Sequence, residues 1–237
     1  MIRLIGIILL FCATATQAAS FNTLQALSQD DFKRFSENVA AATQYKGVTP
    51  PEPLGIIGFD VGLSVSYTKI EDNDLFDIAS EGDFDIAGLP LPRLTVHKGL
   101  PFGIDVGVSA SGAPGTDIKV LGAEIRYAIM EGGVALPAIG IRASGSILQG
   151  VEEMDMQNVG LDISVSKGFL MATPYAGIGV VRTTATPNDA PTLEEETLSQ
   201  TKIFGGLNLN LGILNLTFEA DRTGDHSTGS LKAGFRF

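Results

Sequence analysis

The sequence predicts an all-β chain, closed into an antiparallel up-and-down transmembrane β-barrel of about ten strands, with one amphipathic helix before it. Three observations carry this. A short apolar segment opens the chain, a period of two runs from residue 56 to the end, and the bulky residues of that period face away from the small and charged ones.

The opening MIRLIGIILLFCATATQA has a basic residue (Arg3), an apolar run over residues 4–11 and a small-x-small site at residues 16–18. That is the layout of a secretory signal peptide over residues 1–18. The run is shorter than the ~20 residues a spanning helix needs, and the alternative is a buried N-terminal helix. A lipoprotein is disfavoured because Phe11, not a small residue, precedes Cys12. Cys12 is the only cysteine, so the exported chain is expected to have no disulfide, thiol chemistry or cysteine–metal site. Losing Arg3 with the signal takes the formal charge from −11 to −12, which argues against a nucleic-acid partner. A mean hydropathy of +0.23 with 28 glycines is unusual for a soluble acidic protein. A barrel reconciles the two, since alternate residues meet lipid and a polar lumen.

Residues 19–55 form the second unit. Ser28-Gln29-Asp30-Asp31 resembles a capping box. Phe32, Phe35, Val39 and Ala42 follow at helical spacing, predicting an amphipathic helix over 29–45. Gly47 and the prolines at 50, 51 and 53 end it as a stiff linker.

Residues 56–237 form the barrel. Phe59, Val61, Leu63, Val65 and Tyr67 alternate with glycine, serine and Asp60, and the same parity holds in 102–111, 118–130, 138–148, 159–168, 201–211, 214–222 and 229–237. Segments 89–98 and 175–182 are weaker, so eight or twelve strands are the alternatives to ten. GFDVGLSVS (58–66), GIDVGVSAS (103–111) and GLDISVS (160–166) repeat one pattern of apolar outer face and small inner face with a carboxylate. A soluble sandwich needs its bulky residues inside. Short connections (99–101, 131–137, 169–174, 212–213) alternate with longer ones (71–88, 112–117, 149–158, 183–200, 223–228), as in membrane barrels.

The last residues, LKAGFRF, resemble the C-terminal strand of Gram-negative outer-membrane barrels, which ends on an aromatic residue after alternating apolar positions. The resemblance implies an outer-membrane location and an assembly signal in Phe235 and Phe237. It also implies the barrel-assembly machinery, outer-membrane lipid and lipopolysaccharide as partners; nothing in the sequence specifies an oligomeric state. The chain lacks tryptophan, so the interfacial girdles are expected to rest on Tyr67, Tyr175, Phe59, Phe102 and Phe169.

Two constellations are candidates for function. Fourteen of the 27 acids fall in 71–88, 149–158 and 183–200, among them Asp72, Asp74, Asp77, Asp83, Asp85, Glu194, Glu195 and Glu196. They read either as a solvated surface or as a cation-attracting rim. No cofactor is expected, and the calcium-loop likeness of 72–74 and 83–85 is too incomplete to assign divalent cations. Parity also sends six acids and six bases inward: Asp60, Asp105, Glu124, Asp162, Glu219 and Asp221 with Arg93, Arg126, Arg142, Lys202, Lys232 and Arg236. Expected pairs are Asp60 with Arg236, Asp105 with Arg126, Glu124 with Arg142, Lys202 with Asp221, and Glu219 with Lys232. They read as cross-strand structural pairs or as a selectivity filter.

His97 and His226 are the only histidines. Asp225-His226 is similar to the Asp–His pair of omptin proteases, and His226-Ser227 slightly resembles the His and Ser of the lipid A palmitoyltransferase. Neither motif is complete, so no catalytic residue is assigned. The expected function is a narrow channel for small solutes or ions, or a structural envelope protein, with an acidic extracellular rim. A barrel enzyme and a surface adhesin are the alternatives.

Overall fold

The computed structural model describes residues 24–79, 88–112, 118–133, 135–188 and 190–237, apart from the side chains of Asn73 and Asp77. The signal-peptide reading of 1–18 and the positions of Asp83 and Asp85 lie outside these.

Ten strands close in sequence order, β1 (Phe59–Lys69), β2 (Gly88–Gly99), β3 (Ile104–Gly112), β4 (Lys119–Glu131), β5 (Ala138–Gln149), β6 (Met154–Ser166), β7 (Ala172–Pro187), β8 (Glu196–Leu211), β9 (Leu214–Thr223) and β10 (His226–Arg236). Every neighbour is antiparallel, and β10 returns to β1 with Val61 opposite Phe235 and Ser66 opposite Ser230. Closure leaves no unpaired edge, which satisfies the strands' backbone groups without water. β6, β7 and β8 reach further than the alternation suggests. Their ends at 154–158, 183–187 and 196–200 carry Thr, Gln, Glu and Asn, a composition shared by loops, yet they continue the ladder. Residues 183–200 are therefore mostly strand, not a long loop.

Burial alternates along the strands. In β1 the side chains of Asp60, Ser64 and Ser66 are buried while Leu63 is 67% exposed. Leu63, Val108, Ile125, Val159, Ile178 and Phe218 belong to an exposed apolar belt that runs round the outer face. A water-soluble chain rarely exposes more than a few hundred Å² of contiguous apolar surface.

The interior is filled by the chain itself. Helix α1 (Gln29–Thr43) begins as the sequence indicates, with Ser28 accepting a bond from the Asp31 amide at 3.2 Å. It lies inside the long-loop mouth, and residues 44–55 then thread the lumen to the opposite rim before β1 starts upward. Around α1 the packing resembles a soluble core. Phe32 and Phe35 are fully buried against Leu91, Val120, Leu148, Met154 and Met156 on the wall. Phe76 of α2 (Asn73–Ala79) closes over them, its ring 4.9 Å from that of Phe35. The upper lumen is thus apolar, contrary to the expectation of a uniformly polar interior. Inward apolar residues at the upper strand ends are the counterpart of the helix.

Tyr175 also departs from expectation. It faces inward, 5% exposed, because β7 starts at Ala172 in the parity that directs odd residues to the lumen. Phe102 and Phe169 sit on turns rather than on the strand belt.

At the seam, the Phe59 amide donates to the Phe237 carbonyl at 2.8 Å and the Phe237 amide to the Phe59 carbonyl at 3.0 Å, with the rings 5.8 Å apart. Deleting Phe237 removes both bonds. The refolded variant should convert from its compact, fast-migrating form on a gel at a lower temperature than the full chain.

Candidate functional site: a threaded lumen with a charged wall

Below α1 the plug has no regular secondary structure, and residues 44–51 are buried. Such a segment buries amides and carbonyls that a helix or ladder would have paired, and each needs a partner. The wall supplies partners for several of them. Arg93 donates to the carbonyls of Gln44 at 3.2 Å and Lys46 at 3.1 Å. Arg126 donates to the Pro50 carbonyl at 3.0 Å, and Arg236 to that of Glu52 at 3.3 Å. Ser146 donates to the Thr43 carbonyl at 2.9 Å, and Asp105 accepts from the Leu54 amide at 3.1 Å. Three of the four arginines that parity sends inward, Arg93, Arg126 and Arg236, therefore hold a peptide backbone.

Plug side chains complete the contacts. Lys46 is fully buried and donates to both Asp221 oxygens, at 2.6 and 2.9 Å, and to Thr228. Gln44 reaches Thr223 at 2.6 Å, and the Tyr45 hydroxyl lies 3.2 Å from His97 Nε2. The same His97 nitrogen is 3.2 Å from Glu124, which also meets Arg126 at 3.1 Å and Arg142 at 3.6 Å. Arg126 and Arg142 stand directly opposite each other across β4 and β5, and Glu124 separates their charges.

The walls make room for this. A Cβ on Gly122 would come within 2.7 Å of the Tyr45 ring, and one on Gly47 within 2.3 Å of the Arg142 guanidinium. The void beside Gln44 and Tyr45 has no room for a water molecule.

Of the expected pairs, the structure brings together Asp105 with Arg126 at 2.9 Å and Glu124 with Arg142 at 3.6 Å. The others exchange partners. Asp60 is met by Lys232 at 2.6 Å, although Arg236 is its register partner, because Arg236 turns to the linker. Lys232 is thereby unavailable to Glu219, which accepts from the Tyr175 hydroxyl at 2.7 Å. Lys202 lies 3.8 Å from Asp162, which also takes Arg142 at 2.6 Å, while Asp221 is claimed by Lys46. Lys46, Tyr45 and His97 are site residues that strand parity passed over. The plug's first two cannot be placed by a strand pattern, and His97 lay on a weakly marked strand.

At the long-loop rim the acids bind the plug. Asp72 pairs with Arg34 and accepts from Asn38 at 3.2 Å. Gln29 donates to Glu196 at 2.5 Å and accepts from the Glu194 amide at 2.9 Å, and Glu195 accepts from Thr186 at 3.0 Å. Asp74 and Asp77 lie on α2. Among the described residues no group of three or more His, Cys, Asp or Glu is arranged to hold a metal ion.

A polar cleft of about 500 Å³ opens there, lined by Arg34, Glu37, Glu71, Asp72, Arg222, Asp225, His226 and Ser227. Its Asp225 is exposed and held by Arg222 at 3.0 Å. His226 belongs to β10 rather than to a loop and points inward at 4% exposure, while Ser227 points outward. Alternation thus sets His226 and Ser227 on opposite faces of β10, so the His–Ser likeness is not brought together on one face.

Burial raises the Glu37 carboxyl above its usual range; Lys33 opposes this, while Asp225 and Asp72 reinforce it. A raised acid pKa contributes stability at low pH that is lost as pH rises through it. Glu37→Gln should therefore raise the unfolding midpoint at neutral pH, and the difference from the native chain should vanish in acid.

The buried Lys46–Asp221 pair makes a second prediction. Lys46→Met or Asp221→Asn alone orphans its partner in the interior, a loss on the order of 3 kcal/mol. The double variant should recover part of that loss in a denaturant-unfolding cycle.

No family model matches the chain, and no curated protein compared with it matches either. Solved structures do show likeness. A KdgM porin is 8% identical with a TM-score of 0.38, covering 74% of this chain and 99% of its own. The N-terminal β-barrel domain of Pseudomonas aeruginosa OprF is 10% identical with a TM-score of 0.35, covering 75% and 97%. Ail of Yersinia pestis is 13% identical with a TM-score of 0.26, covering 76% and 98%.

Proposed function

We propose that the chain is a bacterial outer-membrane barrel held shut by its own N-terminal segment, a closed structural envelope protein rather than an open channel. The belt of exposed apolar residues supports the membrane location, since lipid is the phase in which such a belt is stable. The observation that carries closure is the threading of residues 44–55 down the lumen, with linker carbonyls bonded to Arg93, Arg126 and Arg236. A solute path would need the wall charges to face water, and here Arg93, Arg126 and Arg236 face peptide while Asp60, Lys232, Asp162 and Arg142 are paired across the wall. The cross-strand charges thus act as structural partners, in preference to a selectivity filter.

The experiment is conductance of the purified, refolded chain in planar bilayers. The native chain should give no unitary current steps. A chain lacking residues 24–52 should give steps wherever it assembles. Gly122→Val, which keeps the full chain but drives a methyl group into the Tyr45 ring, should give intermittent ones. Steady ohmic steps from the native chain would overturn the closed reading in favour of the channel.

A further inference from the structure

The two rims differ in a way that closure of the lumen does not explain. Every connection at the short-turn rim carries a large apolar side chain outward. Ile57 precedes β1, Phe102 joins β2 to β3, Leu136 joins β4 to β5, Leu170 joins β6 to β7, and Ile213 joins β8 to β9; all five are exposed. At the opposite rim, among the described connecting residues, Ile78 is the sole large hydrophobic so exposed. Two of the five tips, Phe102 (φ 65°) and Leu170 (φ 54°), hold left-handed backbone conformations that disfavour any residue with a Cβ. Water around the rim would favour glycine or asparagine at those positions.

The outer belt gives a reason. On β6 the outward apolar run from Val159 to Val165 is bounded by Gln157 and Lys167. Its six steps cover about 20 Å along the strand. At the usual ~40° tilt that is about 15 Å of height, short of the ~25 Å apolar band of an outer-membrane barrel. The turn residues lie beyond the belt on one side and are joined to it at the seam through Phe59 and Phe237. Cations stand at the same level. Lys98 faces outward over the Phe59 ring at 4.3 Å and donates to the carbonyls of Ile56 and Gly58. Lys167 donates to the carbonyls of Gly133 at 2.9 Å and Leu136 at 3.1 Å. Lys98 lies across an aromatic ring, and both lysines place their ammonium groups at the turns, the posture of lysines at a lipid–water boundary.

We propose that the turn rim is a phospholipid-binding surface: Ile57, Phe102, Leu136, Leu170 and Ile213 are immersed in the interfacial layer of the adjacent leaflet, with Lys98 and Lys167 at the level of its phosphates. The barrel then sits low, with its turns in lipid and its acidic rim in water. This rests on the membrane reading above.

The chain has no tryptophan, so single substitutions make clean reporters. Phe102→Trp and Leu170→Trp test the turns, Leu63→Trp marks the middle of the belt, and Ile78→Trp marks the opposite rim. Each full-length variant is refolded into phosphatidylethanolamine–phosphatidylglycerol vesicles, with and without brominated acyl chains. The turn reporters should emit to the blue of I78W, lose intensity to brominated lipid much as L63W does, and resist aqueous iodide. If they emit like I78W and are quenched by iodide while L63W stays lipid-quenched, the proposal is overturned, and a protein partner or second copy becomes the occupant of the rim. If L63W is itself quenched by iodide and not by lipid, the membrane reading fails together with it.

Discussion

The structure depends on satisfying a stretch of backbone that has no ladder of its own. Residues 44–55 contain three prolines and two glycines, so they form neither a helix nor a strand, yet they run through the centre of the barrel. Each carbonyl buried there would cost free energy if left without a donor. The guanidinium groups of Arg93, Arg126 and Arg236 serve this need well. Each offers several donors in a planar fork, so one group can bond a linker carbonyl and still meet a wall acceptor. Arg126 does both, with Pro50 on one side and Asp105 on the other.

That requirement orders the rest of the wall. An arginine turned toward the linker leaves its neighbouring carboxylate to another cation, and the pairings shift along the sheet. Arg236 goes to Glu52, so Lys232 goes to Asp60, so Glu219 takes Tyr175. Buried charges arranged in this way add little net stability compared with an apolar core, because desolvation offsets their attraction. They do fix register: a plug displaced by one residue would bring Lys46 away from Asp221 and Pro50 away from Arg126. The apolar contacts of Phe32 and Phe35 above hold the helix, and the polar contacts below set where the linker lies.

This division gives the rim acids a structural role. The Asp72 and Glu196 carboxylates and the Glu194 backbone contact Arg34, Asn38 and Gln29 of α1, so the mouth is tied to the helix it surrounds.

The sequence by itself determined the architecture. A period of two is a local property, since each side chain's face follows from its position along one strand, and so the ten strands, their outer belt and the helix cap at Ser28 were legible. The Asp105–Arg126 pair was legible too, because the two lie directly opposite across one ladder. Strand ends rich in threonine and glutamate were not, as hydrogen-bonded strand beyond the belt has the composition of a loop. Nor was the occupant of the lumen. The small inward residues of GFDVGLSVS are equally what a water-filled pore and a filled interior require, and only the path of residues 44–55 distinguishes them. Lys46 meets Asp221 across 175 residues of chain, and no period within either segment encodes that distance. Tertiary structure decided the charge partners because a lumen lets one side chain reach several strands, and the backbone threaded through it competes for the same groups.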